Sequence, residues 1–444
     1  MSDAVLPDGP KAHGILGNMP AFRRDPLGFL RDCGRQYGDI VPLRFGSRHV
    51  YLLKNPDHIE EVLVTHYRNF GKGQALRRST PLFGNGLLTS EGDFWRRQRK
   101  LAQPAFHRER IQAYAHVMAA ETKARIAQWR DGETLDIHAE MTKLTLPIAV
   151  KTLFGAELER PERISQSLEL TQSHFEKWIH YLTMLPAWFP TPTIPAMKRA
   201  ISELDSIVYK LIAERRASGE DTGDLLSMLL RAQDEDDGTR MTDKQLRDEV
   251  LTLFLAGYET TALTLTWTLY LVAQHPDVAA TLNTELQTVL AGRAPTAADR
   301  ADLKYTEQVI FESMRLYPPA WTIGRTALQP CVIGGQSLIP GNTVLMSQWV
   351  VHRDPRWFAD PDVFRPERWQ NDFAKTLPKY AYFPFGGGPR VCIGNTFALM
   401  ESVLLLATIL QQWRFELVPD QEITLRPSVT LRPRNGIQMK LSRV

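Results

Sequence analysis

The sequence predicts a mainly α-helical chain with a small β part, and three observations carry that prediction. The first is one long helix: Thr242-Asp243-Lys244-Gln245 reads as a capping box, and no proline interrupts the run from there to Gln274, just before Pro276. At about 1.5 Å per residue it is about 50 Å long, enough to cross a large domain. The second is a series of further helical stretches, several opened or closed by proline. The third is that β-like runs are short and lie in the first seventy residues and the last third of the chain.

A length of 444 residues alone suggests about three domains. No linker, low-complexity tract or internal repeat divides the chain, so one domain over 1–444 is expected. The balance of 53 basic and 50 acidic residues, a formal +3, comes without a basic run or aromatic-basic interleaving, which argues against nucleic acid. Cys33, Cys331 and Cys392 are too few and too scattered for a disulfide framework and suit a reducing cytoplasm. The first ten residues lack the basic and apolar regions of a signal peptide or membrane anchor, so a soluble protein is expected, cytoplasmic by its cysteine usage; a monomer is expected as well.

Taken in order, Asp25-Pro26 starts a helix to about Tyr37. Runs 40–45 and 49–53 around Gly46-Ser47 read as a hairpin, and Pro56 opens a helix to about His66. From Gly71 to Ser90 several Gly and Pro residues and the lack of a period indicate a long loop of the kind that carries function. Trp95 and Arg99 then share a helix face and can offer an indole N–H and a guanidinium to a carboxylate; a plain solvated basic helix is the alternative. Spans 110–155 and 196–218 are helical in pattern. Between them the apolar, proline-broken stretch 178–190 is a packed loop, a channel gate or a membrane contact, and the gate is preferred. Residues 234–238 form an acidic turn.

The long helix carries one formal charge from Val250 to Ala273, at Glu259. Six threonines and the lack of basic flanks argue for burial in a protein core over a membrane span. A carboxyl beside a hydroxyl, Glu259-Thr260, is costly in an apolar helix unless it has work or a partner, and a buried ion pair is the plain alternative. Further helices run from Pro276 to about Ala291 and from Leu303 to Leu316, where Glu312 and Arg315 share a face. Short β-like runs at 331–333, 337–339 and 343–346 are expected in one small sheet. Runs 423–425 and 436–441 are expected to pair as a hairpin with Val429 and Thr430 at its tip.

One stretch organises the rest: Tyr382-Phe383-Pro384-Phe385-Gly386-Gly387-Gly388-Pro389-Arg390-Val391-Cys392-Ile393-Gly394-Asn395. A thiol sits in a glycine-rich loop that leads into an amphipathic helix. Helix-start N–H groups favour the thiolate, which is the metal-binding form, and the glycines admit a broad flat ligand. A lone cysteine is more often a small buried hydrophobe.

Phe385, Gly388, Arg390, Cys392 and Gly394 fill a Phe-x-x-Gly-x-Arg-x-Cys-x-Gly pattern that resembles the haem-binding signature of the cytochrome P-450 family. The resemblance spans nearly the whole chain and implies that family's fold, with a long central helix over haem b (iron protoporphyrin IX) and Cys392 as the axial iron ligand. It implies that Trp95, Arg99 and Arg325 bind haem propionates, and that Arg390 and Phe385 belong to the haem-binding loop. Ala256-Gly257-Tyr258-Glu259-Thr260-Thr261 resembles the segment over the distal haem face, where Glu259 relays protons, Thr260 supplies a hydroxyl and Gly257 leaves room for a diatomic ligand. It further implies a structural triad of Glu312, Arg315 and Arg368.

The reaction so implied is monooxygenation with dioxygen, two electrons and two protons. Leu87, Leu88, Phe254, Ala256, Ala320, Trp321, Ile323 and Val429 are expected to line a pocket whose apolar character implies a lipophilic substrate: a fatty acid, terpenoid, steroid or carotenoid. No flavin or iron–sulfur segment is evident, so electrons come from a separate ferredoxin or flavodoxin with its NAD(P)H reductase. Arg96, Arg97, Lys100 and Lys379 offer a basic face for it. A peroxide-driven peroxygenase or isomerase and a non-catalytic haem sensor are the alternatives, and both fit poorly with a retained Glu259-Thr260 pair.

Overall fold

The computed structural model describes residues 8–77, 79–80, 84–156, 193–233, 238 and 240–444. Two compact units emerge. The first takes residues up to Gln74, Gln308–Ile393 and Leu425–Arg432; the second takes Ala75–Glu307, Gly394–Thr424 and Pro433–Val444.

The first unit is organised on a five-stranded sheet in the order Ile40–Phe45, Arg48–Leu53, Thr343–Met346, Ile323–Ala327, Phe70–Lys72. Gly46, at φ +65°, closes the expected hairpin with a backbone that a side chain would strain. Against the sheet lies the helix Pro26–Gln36, which begins where the Asp25 carboxylate accepts the Gly28 N–H at 2.9 Å. Its Leu27, Leu30 and Cys33 meet Val41, Leu43 and Leu52 in one core. The helix from Pro56 is regular only to Glu60 and continues as a π-helical turn, Glu61–Thr65. The expected long loop after Gly71 is partly structured: Gly71 and Lys72 pair with Thr326 and Arg325, and Gln74–Arg77 is a short helix.

The expected single sheet at 331–346 is in fact two. Cys331–Ile333 pairs with Gln336–Leu338 through Gly334 and Gly335, both at positive φ, while Thr343–Met346 joins the five-stranded sheet parallel to Arg48–Leu53. Both pieces bury into one core all the same, where Ile333 and Leu338 of the hairpin meet Val344 and Met346 of the larger sheet.

The second unit is built around the helix Asp243–Gln274, whose bounds and capping box match the sequence reading. The Thr242 N–H donates to Gln245 Oε1 at 2.8 Å, and the Gln245 N–H donates to Thr242 Oγ1 at 3.3 Å. Helices Ile137–Phe154, Thr193–Ser218 and Asn395–Leu410 pack on it, which is why it is apolar on nearly every face. Among the described residues no helix is long and apolar enough to cross a membrane.

Two expectations fail here. The span 110–155 breaks into Arg108–Ile126 and Ile137–Phe154: Gly132 turns at φ +77°, and the Asp136 side chain caps a new helix by accepting the His138 N–H at 3.0 Å. The final hairpin pairs differently as well. Gln438–Arg443 lies between Trp413–Leu417 and Thr134–Asp136, burying Met439 and Leu441 with Trp413 and Phe415, while Leu425–Pro427 pairs with Leu431–Pro433. The stretches 178–190 and 234–237 lie outside the described residues.

Candidate active site

In the first unit the Cys392 loop is held by its own backbone and by neighbouring aromatic and basic residues. The Cys392 N–H donates to the Phe385 carbonyl at 3.0 Å, closing the loop on itself, and leaves the thiol exposed three residues ahead of the helix Asn395–Leu410. Glycine is required at two points: Gly386 and Gly388 have φ of +70° and +65°, and a Cβ on Gly388 would collide with the Leu63 carbonyl. Tyr382 donates to the Phe311 carbonyl at 2.9 Å, and Arg390 Nη1 donates to the Phe70 carbonyl at 3.1 Å. The Phe383 N–H donates to His352 Nε2 at 3.0 Å. Complete burial lowers the His352 pKa well below its ordinary value, aided by the charges of Arg315 and Arg353, so the ring is neutral and free to accept.

Beneath this loop the predicted triad forms. Arg315, fully buried, grips Glu312 with Nε and Nη2 at 2.8 Å each, and Arg368 Nε reaches Glu312 Oε1 at 3.0 Å. Two donors that pattern reasoning missed complete the set, Trp369 Nε1 at 2.9 Å and the Arg365 N–H at 3.0 Å. Burial alone would raise the Glu312 pKa, but the Arg315 hydrogen bonds and the Arg315 and Arg368 charges outweigh it and lower it. Arg315 also donates to the carbonyls of His352, Pro361 and Val363, tying two further segments to one guanidinium.

Arg325 and Ile323 lie on the sheet strand Ile323–Ala327, both half-buried, and Ala320 is half-buried ahead of it. Trp321 is core: its indole N–H donates to the Ser428 carbonyl at 2.9 Å, so it anchors the turn on which Val429 is exposed.

In the second unit Trp95 and Arg99 share the helix Gly92–Ala102, Trp95 buried and Arg99 half-buried with its Nε on Gln103 Oε1 at 3.1 Å. The loop bearing Leu87 and Leu88 is clamped to the start of the long helix by two adjacent carboxylates. Asp248 Oδ2 accepts the Asn85 N–H at 2.8 Å and Glu249 Oε2 accepts the Leu87 N–H at 2.9 Å.

The middle of the long helix departs from its surroundings. Residues 250–255 and 261–269 are buried, yet Ala256 is exposed and Gly257 and Thr260 are half-buried, leaving a bare stripe one turn long. Along that turn three successive carbonyls each accept a hydroxyl besides their helix partner: Ala256 from Thr260 at 2.8 Å, Gly257 from Thr261 at 3.1 Å and Tyr258 from Thr145 at 2.9 Å. Glu259 is buried beside them. Two sequence expectations shift. A Cβ on Gly257 would meet Leu153 and Ala149 at 3.6 and 3.9 Å, so this glycine thins the helix toward Ile137–Phe154. Phe254 is buried against Phe154 and Tyr258. Sequence reasoning also passed over Glu401, although the signal that exposes Glu259 was there: Glu401 is the one charged residue of the helix Asn395–Leu410. Its Oε2 lies 3.0 Å from Thr261 Oγ1.

These residues fit a haem by the chemistry of the donors. An exposed thiol in a glycine-opened loop is a soft metal ligand, an indole N–H and three guanidiniums at Trp95, Arg99, Arg325 and Arg390 suit carboxylates, and a bare helix stripe with a hydroxyl suits a small polar reactant. Of the proposed basic face, Arg96 pairs with Asp93 and Lys379 lies 3.3 Å from Glu60.

Comparison with known proteins gives the same assignment. The family model described as Cytochrome P450 matches residues 7–441. The chain is 38% identical over 420 residues to cyclooctatin synthase of Streptomyces melanosporofaciens, covering 94% of this chain and 91% of that one. It is 39% identical over 411 residues to cyclooctat-9-en-7-ol 5-monooxygenase of the same organism, covering 91% and 88%. To pentalenene oxygenase of Streptomyces avermitilis it is 35% identical over 425 residues, covering 94% and 93%. The chain belongs to the cytochrome P450 family and is a haem b-dependent monooxygenase acting on a lipophilic small molecule.

Proposed function

We propose that this enzyme hydroxylates or epoxidises a terpenoid, drawing electrons from a separate ferredoxin or flavodoxin in the cytoplasm. The substrate class rests on the relatives whose names carry pentalenene and cyclooctat-9-en-7-ol, and on the apolar residues that the sequence offers for the pocket. When bound, the haem supplies the activation of dioxygen, with thiolate donation favouring O–O cleavage.

The chain's own residues do the rest. Cys392 would hold the haem iron through its thiolate, from a loop whose shape is fixed by the Cys392 N–H to Phe385 bond. Trp95, Arg99, Arg325 and Arg390 hold the propionates. Glu259 brings protons to the stripe and Thr260 presents a hydroxyl there, held by its bond to the Ala256 carbonyl. Leu87 and Leu88, fixed by Asp248 and Glu249, close the substrate side. The single observation that carries the reading is the bare stripe at Ala256 and Thr260 within an otherwise buried helix. That acid–hydroxyl pair favours reductant-driven turnover over the peroxide-driven alternative.

The first test is the reduced carbon monoxide difference spectrum of the wild type beside Cys392→Ser. A red-shifted Soret band in the wild type alone is the expected result; the same spectrum in both removes Cys392 as ligand. The substrate class is then read from spin-state shifts with cyclic terpene alkenes and alcohols against fatty acids, and stronger binding of fatty acids would overturn it. For the redox partner, Arg96→Glu and Lys379→Glu are expected to slow reduction and flatten its salt dependence. Unchanged rates would remove the basic docking face.

A further inference from the structure

Glu401 sits in the helix Asn395–Leu410 with no exposed surface, and among the described residues no lysine or arginine pairs with it. Among the described residues its Oε1 has no hydrogen-bond partner, and its Oε2 meets a single group, the hydroxyl of Thr261, itself 1% exposed. That hydroxyl also lies 3.1 Å from the Gly257 carbonyl. One hydroxyl proton cannot serve both oxygens, so two arrangements are open, and burial without a counter-ion selects between them. A threonine hydroxyl has one proton to give and a carbonyl has none, so if Thr261 donates to Gly257 its oxygen can only accept from Glu401. The carboxyl must then carry the proton. An ionised carboxylate here would rest on one hydroxyl in an apolar helix interface, with no cation to offset its lost hydration. Burial pushes this carboxyl up to about 8, the direction that a retained proton requires.

We infer that Glu401 is held as a neutral carboxylic acid that donates to Thr261 and, through Thr261 and the Gly257 carbonyl, fixes the helical turn presenting Glu259 and Thr260. It is a positioning residue for proton delivery. It keeps its proton, and it acts by preventing the 257–261 turn from rotating its hydroxyls and carboxyl away from the bare stripe. This rests on the roles proposed for Glu259 and Thr260, which the Thr260→Ala variant tests separately.

Two readouts check it. The first is the infrared difference between the wild type and Glu401→Gln at neutral pH. A protonated-carboxyl stretching band present only in the wild type is expected, and its absence overturns the inference without any turnover being measured. The second is product formed per reductant consumed, measured in variants that retain the carbon monoxide Soret band. A carboxamide offers the same donor beside the same acceptor, so Glu401→Gln is expected within about twofold of the wild type. Glu401→Leu is expected to lose about fivefold or more, with the lost electrons appearing as peroxide or water. Thr261→Val is expected to match it and to add nothing in the double variant, because both break one chain of bonds. Should Glu401→Leu lose haem, Thr261→Val alone decides. Wild-type coupling in Thr261→Val, or equal losses in the Gln and Leu variants, overturns the positioning role. Unchanged coupling in Thr260→Ala overturns the function served, while the infrared band still decides the state of Glu401.

Discussion

Glu312 in the first unit and Glu401 in the second are equally inaccessible to water, and the protein holds them in opposite states. Glu312 collects two arginines, an indole N–H and a backbone N–H, and its pKa falls. Glu401 has one hydroxyl, and its pKa rises to about 8. Burial is the same; the number and charge of donors decides. The difference separates two uses of a buried acid. A carboxylate saturated by cations is a fixed knot in the chain, whereas a neutral acid with one partner is a directional donor.

The largest expected effect breaks the knot. Glu312→Ala strands Arg315 and Arg368 in the core, and removing one partner of a buried pair costs about 3–5 kcal/mol. Because Arg315 holds the carbonyls of His352, Pro361 and Val363, and His352 in turn accepts the Phe383 N–H of the Cys392 loop, the variant is expected to lose folded, haem-binding protein; urea midpoints and the carbon monoxide spectrum measure it. A variant of wild-type stability would mean that the triad is not what holds this region.

Acid–base titration separates the two glutamates by sign. Glu401 has a raised folded pKa, so the folded state holds a proton that the unfolded chain releases above about pH 4.3. Its contribution is full below that value and is lost as pH climbs to about 8, by on the order of a few kcal/mol. Glu312, with a lowered folded pKa, contributes above the ordinary carboxylate range and loses that contribution as pH falls below it. Glu401→Gln is therefore expected to flatten the decline in unfolding free energy between about pH 5 and 8 and to leave the acid limb untouched. An unaltered slope in that window would put Glu401 on the same footing as Glu312.

Thr260→Ala comes next. It removes the hydroxyl from the bare stripe but no core contact, so stability is expected to hold while product per reductant falls about tenfold and peroxide rises. A drop in stability matching the drop in coupling would make Thr260 a packing residue.

How far the sequence foretold this depends on whether a feature is local. The long helix was legible because its capping box and its proline stop lie at its ends. The Cys392 loop was legible because glycines at fixed offsets report positive φ, as Gly386 and Gly388 do. The triad needed a residue fifty-six positions away, and only the family resemblance linked Arg368 to Glu312. Trp369 and the Arg365 N–H, in the same segment, went unread because nothing in Phe364-Arg365-Pro366-Glu367-Arg368-Trp369 shows which donors turn inward. Strand pairing failed for the same reason. Gln438–Arg443 finds Trp413–Leu417 and Thr134–Asp136, and a three-strand match over three hundred residues leaves no trace in any one window.

Glu249 supplies the smallest and finest test, since it is a third fully buried glutamate and its bond reaches into a loop. Where Glu312 answers to cations and Glu401 to a hydroxyl, Glu249 accepts the backbone N–H of Leu87 at 2.9 Å, one residue along from the Asp248 bond to Asn85. Glu249→Gln keeps the length but leaves one acceptor oxygen where there were two, so the amide can meet the Leu87 N–H only in one orientation, a loss of about 1 kcal/mol. The loop it holds carries Leu87 and Leu88, so the expected result is a substrate dissociation constant raised about threefold to fivefold in spin-state titrations, with stability and coupling nearly unchanged. If stability falls as it does in Glu312→Ala, the clamp belongs with the knot; if only affinity moves, the same residue type serves three ends set by the partner it bonds.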